Sequence, residues 1–166
     1  MTYTNDYPVS WEDIHVTAKA LAEKLKDFSK ERGPFKGIVA VARGGLIPAS
    51  QIAYELDIHL IETISVTSYD HKSQSEAKIA SAPQHAGDGE GWLVIDELSD
   101  TGNTFRAIRK ILPKATYVCL YAKPKGVEVV DFHVTDVPQD SWIYLPWDDL
   151  NFPAHIFDKI GKHLKQ

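Results

Sequence analysis

Three short apolar runs, rich in β-branched residues, recur along the chain and are separated by longer segments with helical periodicity. The runs are GIVAVA at residues 37–42, WLVID at 92–96 and TYVCLYAK at 116–123. Continuous apolar runs of this length are typical of strands that are buried on both faces of a sheet. Strands that alternate with helices pair in parallel and carry those helices on their faces. The pattern therefore predicts an α/β fold with a mainly parallel central sheet.

Helices and minor strands are predicted around these runs. Ser10 and Asp13 form a capping pair, and apolar residues then recur three and four positions apart. Pro48 suits the first turn of a second helix, which ends at Leu56. Helices are thus predicted at 10–32, 48–56, 101–112 and 153–165, additional strand-like pieces at 59–66, 129–137 and 141–147, and a polar functional loop with short strands at its edges at 67–91.

Length, charge and cysteine content narrow the class of protein. A chain of 166 residues is expected to form one domain over 1–166, since this length buries roughly 70% of the unfolded surface. A net charge of −5 leaves no basic field for nucleic acid, so such a partner is not expected. Cys119 lies in an apolar run and is predicted to be a buried free thiol. Because no apolar stretch approaches the ~20 residues of a membrane span, we predict a cytoplasmic protein without integral membrane contact.

The segment that follows the second apolar run carries the strongest functional signal. Asp96 and Glu97 are predicted to end that strand, at the edge where open parallel sheets bind ligands. A turn then leads into the next helix through Asp100, Thr101, Gly102, Asn103 and Thr104. Backbone N–H groups of such a turn bind phosphate, and two carboxylates suit ribose hydroxyls, directly or through Mg²⁺. Helix capping explains each residue singly, and a receiver domain would need its acidic pair after the first strand, where VARGG stands instead.

The sequence VIDELSDTGNT resembles the signature by which type I phosphoribosyltransferases bind phosphoribosyl pyrophosphate (PRPP). The resemblance implies that Asp96 and Glu97 hold the ribose hydroxyls and Mg²⁺, and that the turn at residues 100–104 holds the 5-phosphate. It also implies that Asp100 is the catalytic residue, a general base beside the purine imidazole. Two positions depart from the usual signature: Glu97 replaces an aspartate, and Asn103 replaces a glycine, which the left-handed tolerance of asparagine is expected to accommodate.

A second segment, VARGGLIPA, places Arg43 and Gly44 between a strand and a helix. Bare backbone and a guanidinium can approach an anion together there, although a tight strand-to-helix turn explains the glycines equally well. The segment resembles the pyrophosphate loop of the same family, in which an often cis peptide precedes the first glycine. This resemblance predicts that Arg43 and Gly44 bind PRPP.

Candidate contacts to a purine base come from YAKPKG and DSWIYLPWDDL. Lys123 can donate to an exocyclic carbonyl oxygen, although a strand-end lysine often simply reaches water. Trp142 can stack on a purine beside the backbone of Ile143 and the carboxylate of Asp148, or it can belong to the core. With PQDSWI, these segments resemble the xanthine-guanine branch of the 6-oxopurine phosphoribosyltransferases over residues 10–148.

The polar loop resembles the mobile lid of the 6-oxopurine enzymes, and Ser68 and Tyr69 match its Ser-Tyr dipeptide. A lid excludes water from a reactive sugar cation. Where relatives carry an arginine, this chain has Ser75. Lys72 and Lys78 are the candidates to replace that arginine, and solvated loop lysines are the alternative interpretation.

The resemblance implies a complete function as well as a fold. The reaction is transfer of the 5-phosphoribosyl group of PRPP to guanine or xanthine, and to hypoxanthine, with release of pyrophosphate. The fold is the type I phosphoribosyltransferase fold, with a base-binding hood at about 124–150 that receives N-terminal contributions, in a homodimer or homotetramer that can lie peripherally at the inner membrane. A regulatory protein of this fold and a hypoxanthine-preferring relative are open alternatives, and the charge of −5 disfavours a nucleic-acid-binding regulator.

Overall fold

The computed structural model of the chain describes residues 3–68, 77–148 and Ile156. Its elements are β1 (Asn5–Pro8), α1 (Trp11–Arg32), β2 (Gly37–Ala42), α2 (Leu46–Leu56), β3 (Ile61–Ser68), β4 (Ala77–Ser81), β5 (Trp92–Ser99), α3 (Asn103–Arg109), β6 (Thr116–Ala122), a 3₁₀ helix (Val127–Val129), β7 (Thr135–Asp136) and β8 (Ser141–Tyr144). The predicted helix at 153–165 lies outside the described residues except for Ile156, which is helical and buried.

The described strands form a larger central sheet in the order β4-β3-β2-β5-β6-β7 and a small sheet of β1 and β8. In the central sheet every neighbouring pair is parallel except β3 with β4, which is antiparallel. The sheet therefore confirms the predicted α/β class. Because β2, β5 and β6 are adjacent and parallel, their carboxyl ends meet at one edge, where such sheets bind ligands.

Alternate residues of the central strands pack into two separate cores. Ile38 and Leu93 point to the side that α1 and α2 cover. Val39 and Val94 point to the side that α3 covers, together with Cys119. All five are fully buried, and burying an aliphatic side chain contributes about 1.5–3 kcal/mol. Burial also raises the pKa of the Cys119 thiol, in agreement with the predicted inert cysteine.

The start of α1 confirms the predicted capping pair. The Ser10 hydroxyl accepts from the backbone N–H of Asp13 at 3.1 Å, and the Asp13 carboxylate accepts from the backbone N–H of Ser10 at 2.8 Å. Two otherwise unpaired N–H groups of the first turn are thus satisfied. Among the helices of the described residues, none combines the length and the apolar character that a membrane crossing requires.

Several boundaries differ from the predicted ones because pairing or turns extend or stop an element. β5 continues to Ser99, beyond the predicted end at residue 96, since its last residues pair with the end of β6. β3 continues to Ser68, since it pairs with β4 within the segment predicted as a loop. β6 ends at Ala122, one residue before the predicted end. In the predicted strand at 129–137, only Thr135–Asp136 is a strand.

α3 is shorter than the predicted helix at 101–112. Gly102 has a φ of 78°, in the left-handed region that glycine tolerates, and a helix cannot begin before such a residue. At the other end the N–H of Lys110 bonds to the carbonyl of Ala107, three residues back, so the last turn tightens and α3 ends at Arg109.

The small sheet joins the two ends of the described chain. Asn5 of β1 pairs with Ser141 of β8, and Tyr7 pairs with Ile143, in parallel. Asp140, just before β8, accepts from the backbone N–H of Thr4 at 2.8 Å through its carbonyl and from the Thr4 hydroxyl at 2.6 Å through its carboxylate. Residues 3–8 are therefore held against the segment that was predicted to form the hood.

Candidate active site

Three predicted site residues follow directly after three neighbouring parallel strands. Arg43 follows β2, Asp100 follows β5 and Lys123 follows β6. Because these strands are adjacent and parallel, the three residues lie at the same edge of the central sheet. The topology alone therefore brings a guanidinium, a carboxylate and an ammonium together at this edge.

Asp96 and Glu97 lie within β5 rather than at its end, because the strand continues to Ser99. Asp96 is only 9% exposed, and its carboxylate accepts from the backbone N–H of Glu97 at 3.0 Å. Atom Oε2 of Glu97 is buried and has no hydrogen-bond partner among the described residues. A buried carboxylate oxygen without a partner is costly unless a ligand supplies one.

The position of Asp96 beside Glu97 also affects the ionisation of Asp96. Burial, and after it the charge of Glu97, raises the pKa of Asp96 well above its usual value. Among the described residues, no cluster of three or more acidic, histidine or cysteine side chains could hold a metal ion. Because Asp96 is buried beside Glu97, a ligand with hydroxyl donors or a positive charge would stabilise the charged form of the pair.

The predicted pyrophosphate loop lies against this acidic pair. The peptide bond between Ala42 and Arg43 is cis. A Cβ atom at Gly44 would overlap the Glu97 carboxylate, so only glycine permits this approach. Arg43, Gly44, Glu97 and Asp148 share the lining of an open cavity of about 530 Å³. The structure thus places Asp148, which was predicted to contact the base, beside the pyrophosphate loop.

Asp100 is held by three donors from distant parts of the chain. Its atom Oδ1 accepts from Nε2 of Gln139 at 3.0 Å and lies 3.2 Å from Nζ of Lys123. Its atom Oδ2 accepts from the hydroxyl of Tyr3 at 3.2 Å. Partial burial, and then the Asp100 charge, raises the pKa of the Tyr3 phenol, which therefore stays a hydrogen-bond donor at neutral pH.

Lys123 does not reach water, so that alternative interpretation is wrong. The residue is only 2% exposed. Besides its ion pair with Asp100, its ammonium lies 4.7 Å from the centre of the Tyr3 ring, within range of a cation–π interaction. Lysine is almost never fully buried unless it is paired, and the carboxylate of Asp100 is the partner of Lys123.

Trp142 does not belong to the core, so that alternative is wrong as well. Its side chain is 49% exposed, whereas Ile143 beside it is buried. The alternation of β8 sends Ile143 inward and Trp142 outward. The Trp142 ring meets the Tyr3 ring nearly edge-on, with centres 4.9 Å apart.

The predicted phosphate turn begins at Asp100, and its left-handed residue is Gly102. Asn103 is the first residue of α3 and has no positive φ, so the left-handed tolerance expected of it is not needed. Thr101 and Thr104 are partly buried on either side. Arg106 of α3 donates to the carbonyl of Thr101 at 2.7 Å and so links the helix to the turn.

The predicted lid is only partly described. Ser68 ends β3 and pairs with Ala77 at the start of β4. Lys78 lies in β4 and is exposed. Tyr69, Lys72 and Ser75 lie outside the described residues.

Sequence reasoning missed Tyr3, Gln139 and Arg106 as members of the site. Gln139 belongs to the PQD triplet that contributed to the family resemblance, so its position carried a signal. Arg106 lies three residues into α3, a spacing that places it over the turn. Tyr3 carried no signal, because its position depends on the pairing of β1 with β8.

Comparison with known proteins identifies the family of the chain. A model of the phosphoribosyl transferase domain matches residues 10–149, and the chain belongs to this family. Two relatives, each called xanthine-guanine phosphoribosyltransferase, come from Nitratidesulfovibrio vulgaris and Desulfotalea psychrophila. The first is 50% identical over 88% of this chain and 86% of its own length, and the second is 51% identical over 88% of each. A crystal structure of a purine phosphoribosyltransferase from Pyrococcus horikoshii superposes with a TM-score of 0.75 at 29% identity, covering 91% of this chain and 98% of that chain. The type I phosphoribosyltransferase fold is therefore confirmed.

Proposed function

We propose that the protein is a purine salvage enzyme that transfers the 5-phosphoribosyl group of PRPP to guanine or xanthine. The names of its 50–51% identical relatives support this activity. The observation that carries the proposal is the arrangement of Asp96, Glu97 and Asp100 along one strand end, with Lys123 beside them. A sugar with two hydroxyls, a phosphate and an aromatic base with a carbonyl oxygen complements that arrangement.

The acidic pair would bind the sugar. Ribose hydroxyls donate hydrogen bonds, and the unpartnered Oε2 of Glu97 and the buried carboxylate of Asp96 accept them. The turn from Asp100 to Thr104 would receive the 5-phosphate through its backbone N–H groups. Arg43 and Gly44, which share a cavity with Glu97, would bind the pyrophosphate.

Magnesium fits the acidic pair as a cofactor that PRPP helps to hold. Mg²⁺ usually takes one or two carboxylates from the protein and fills its other positions with water and substrate oxygens, which suits a site with only Asp96 and Glu97. When bound, the ion would neutralise the pyrophosphate as it leaves. Removal of Mg²⁺ with a chelator is expected to abolish turnover.

The base would lie between Lys123, Trp142 and Asp100. The Lys123 ammonium would donate to the exocyclic oxygen of a 6-oxopurine, and Trp142 would contribute a ring face beside the backbone of Ile143. Asp100 would accept the imidazole proton as the ring nitrogen attacks the anomeric carbon. Asp148, beside Arg43, would close the base pocket from the pyrophosphate side.

One assay tests the proposal against both alternatives. The protein is mixed with PRPP, Mg²⁺ and guanine, xanthine, hypoxanthine or adenine in turn, and nucleotide formation is measured. We expect product from guanine and xanthine, less from hypoxanthine and none from adenine. Binding of PRPP without product would indicate a regulatory protein, and a preference for hypoxanthine would indicate the other relative.

The remaining assignments stay predictions. We infer that Ser68 and Tyr69 belong to a lid within residues 67–91, and that the hood at 124–150 covers the base. A homodimer or homotetramer is expected, which analytical ultracentrifugation measures directly. A cytoplasmic location with peripheral contact at the inner membrane is expected from the resemblance, and cell fractionation tests it.

A further inference from the structure

Tyr3 contacts the same three residues that would bind the purine. Its hydroxyl donates to Oδ2 of Asp100 at 3.2 Å. The Lys123 ammonium lies 4.7 Å from the centre of its ring, and the Trp142 ring centre lies 4.9 Å away. One side chain near the start of the chain therefore fills the space among the general base, the ammonium and the exposed tryptophan.

The chemistry of tyrosine matches that of the purine in this position. Both have a flat aromatic ring that a tryptophan and a cation can contact. Both present one polar hydrogen to Asp100, from the phenol in tyrosine and from the imidazole in the base. Oδ1 of Asp100 is held by Gln139 and Lys123, so Oδ2, which Tyr3 occupies, is the oxygen left for a ligand.

We propose that Tyr3 occupies the purine position while no base is bound, and that the incoming base displaces it. The inference rests on the proposed function. Thr4 and Asp140 form an anchor directly behind Tyr3, since Thr4 donates to Asp140 through both its N–H and its hydroxyl. The displacement needs only a rotation of the Tyr3 side chain or of the residue itself in front of this anchor.

The occupied position has a measurable consequence for affinity. A ligand that must displace a competing group binds with an affinity reduced by the fraction of molecules in which the site is free. Tyr3 would thus weaken purine binding while keeping water away from the Asp100–Lys123 pair. Tyr3 lies before residue 10, where the match to the family domain begins, so it is a feature of this chain that the family model does not include.

Substitution of Tyr3 tests the proposal in the guanine assay. For Tyr3→Ala we expect the KM for guanine to fall roughly three- to tenfold, because one charge-assisted hydrogen bond and a ring contact no longer compete. The KM for PRPP should stay unchanged. Tyr3→Phe keeps the ring and loses the hydrogen bond, so its KM for guanine should lie between those of wild type and Tyr3→Ala.

The matched control is Tyr54→Ala, because the Tyr54 side chain is 90% exposed on α2; all its kinetic constants should equal those of wild type. An unchanged KM for guanine in Tyr3→Ala would overturn the proposal. A raised KM would overturn it too, since Tyr3 would then be a wall of the base site.

A titration with GMP provides a readout that is independent of turnover. In protein with ¹³C-labelled tyrosine, GMP should move the ring resonances of Tyr3, assigned by their loss in Tyr3→Phe, to positions typical of solvent. Tyr3 resonances that keep their free-state positions at saturating GMP would overturn the proposal. If wild-type protein forms no nucleotide from any purine, the proposed function has failed, whereas nucleotide formation without any effect of Tyr3 rejects only the inference.

Discussion

The two ends of the segment from Asp96 to Asp100 differ in the hydrogen-bond partners of their carboxylates. At residues 96–97 two carboxylates lie side by side without a cation among the described residues, and one buried oxygen has no partner. At Asp100, four residues later, a carboxylate has a lysine, an amide and a phenol as donors. At the first end a buried carboxylate oxygen has no partner, whereas at the second end both carboxylate oxygens have a donor from the protein.

The difference follows from what each end would do. In the proposed function, sugar hydroxyls and Mg²⁺ would arrive with the substrate, so partners supplied by the protein would have to be removed first. A general base must keep one geometry while a proton moves, so protein donors that orient it are useful. The unpartnered oxygen of Glu97 thus marks a ligand contact. At Asp100, Gln139 and Lys123 hold Oδ1 in position, while Oδ2, which Tyr3 contacts, is the oxygen that a ligand would take.

The largest expected effect on activity comes from removing the charge of Asp100. Asp100→Asn keeps the size of the side chain but cannot accept a proton, so kcat should fall roughly 10²- to 10⁴-fold. Steady-state assays with guanine check this. Asp88→Asn is the matched control, since Asp88 pairs with Lys114 at 2.8 Å on the surface, and it should retain full activity. Wild-type turnover in Asp100→Asn would remove the distinction between the two ends.

Loss of the buried cation should have the next largest effect. Lys123→Met leaves Asp100 without its ion pair, and we expect the free energy of unfolding to fall by about 2 kcal/mol, less than for a fully buried pair because Asp100 is about one third exposed. Urea denaturation measures the change. Lys114→Met, which breaks an exposed pair, should change stability by less than half as much.

The role of Gln139 sharpens the comparison further. Its Oε1 accepts from the N–H of Lys125 at 2.9 Å, while its Nε2 donates to Asp100. Gln139→Ala should lower kcat about tenfold, the equivalent of one hydrogen bond to a charged group, and leave the KM for PRPP unchanged. Gln139→Glu keeps the bond to Lys125 but places a second anion beside Asp100, so it should be less active than Gln139→Ala. Rescue by glutamate would mean that Gln139 only supports the backbone.

The smallest expected effect is the change in folding stability when Asp96 is replaced. Asp96→Asn removes one of two repelling carboxylates, and its Oδ1 can still accept from the N–H of Glu97, so stability at neutral pH should rise by about 1 kcal/mol. Because the pKa of Asp96 is raised in the folded protein, wild type loses stability as pH rises from about 4, the unfolded value, through that raised pKa. The advantage of the variant should therefore vanish below about pH 4. An advantage that is the same at all pH values would contradict the repulsion.

Much of the fold could be predicted because its signals are local. Buried parallel strands appear as continuous apolar runs, and a capping pair marks the start of α1. The boundaries that were wrong depend on distant partners: β5 extends to Ser99 because β6 continues beside it, and β3 continues because β4 returns along it. A single sequence does not contain the length of a neighbouring strand.

The residues of the candidate site likewise fall into those that local sequence predicts and those that depend on distant partners. Asp96, Glu97, Asp100 and Gly102 lie within one short segment, so their spacing alone was enough to predict them. Lys123 was found as a strand-end residue, but its burial and its contacts with Asp100 and Tyr3 involve residues that are distant in the chain. Tyr3 and Gln139 reach Asp100 from positions 97 and 39 residues away in the chain, and only the folded structure brings these residues together.

The pairing of β1 with β8 also has a consequence for biosynthesis. Thr4 and Asp140, which anchor this pairing, are 136 positions apart, whereas β2, β5 and β6 follow one another more closely in the chain. A nascent chain can order β2, β5 and β6 before residue 140 has emerged from the ribosome, because shorter loops close at lower entropic cost. During synthesis the acidic pair and the turn at residues 100–104 are therefore expected to form first. The region around Tyr3 and Trp142 is completed only when β8 pairs with β1.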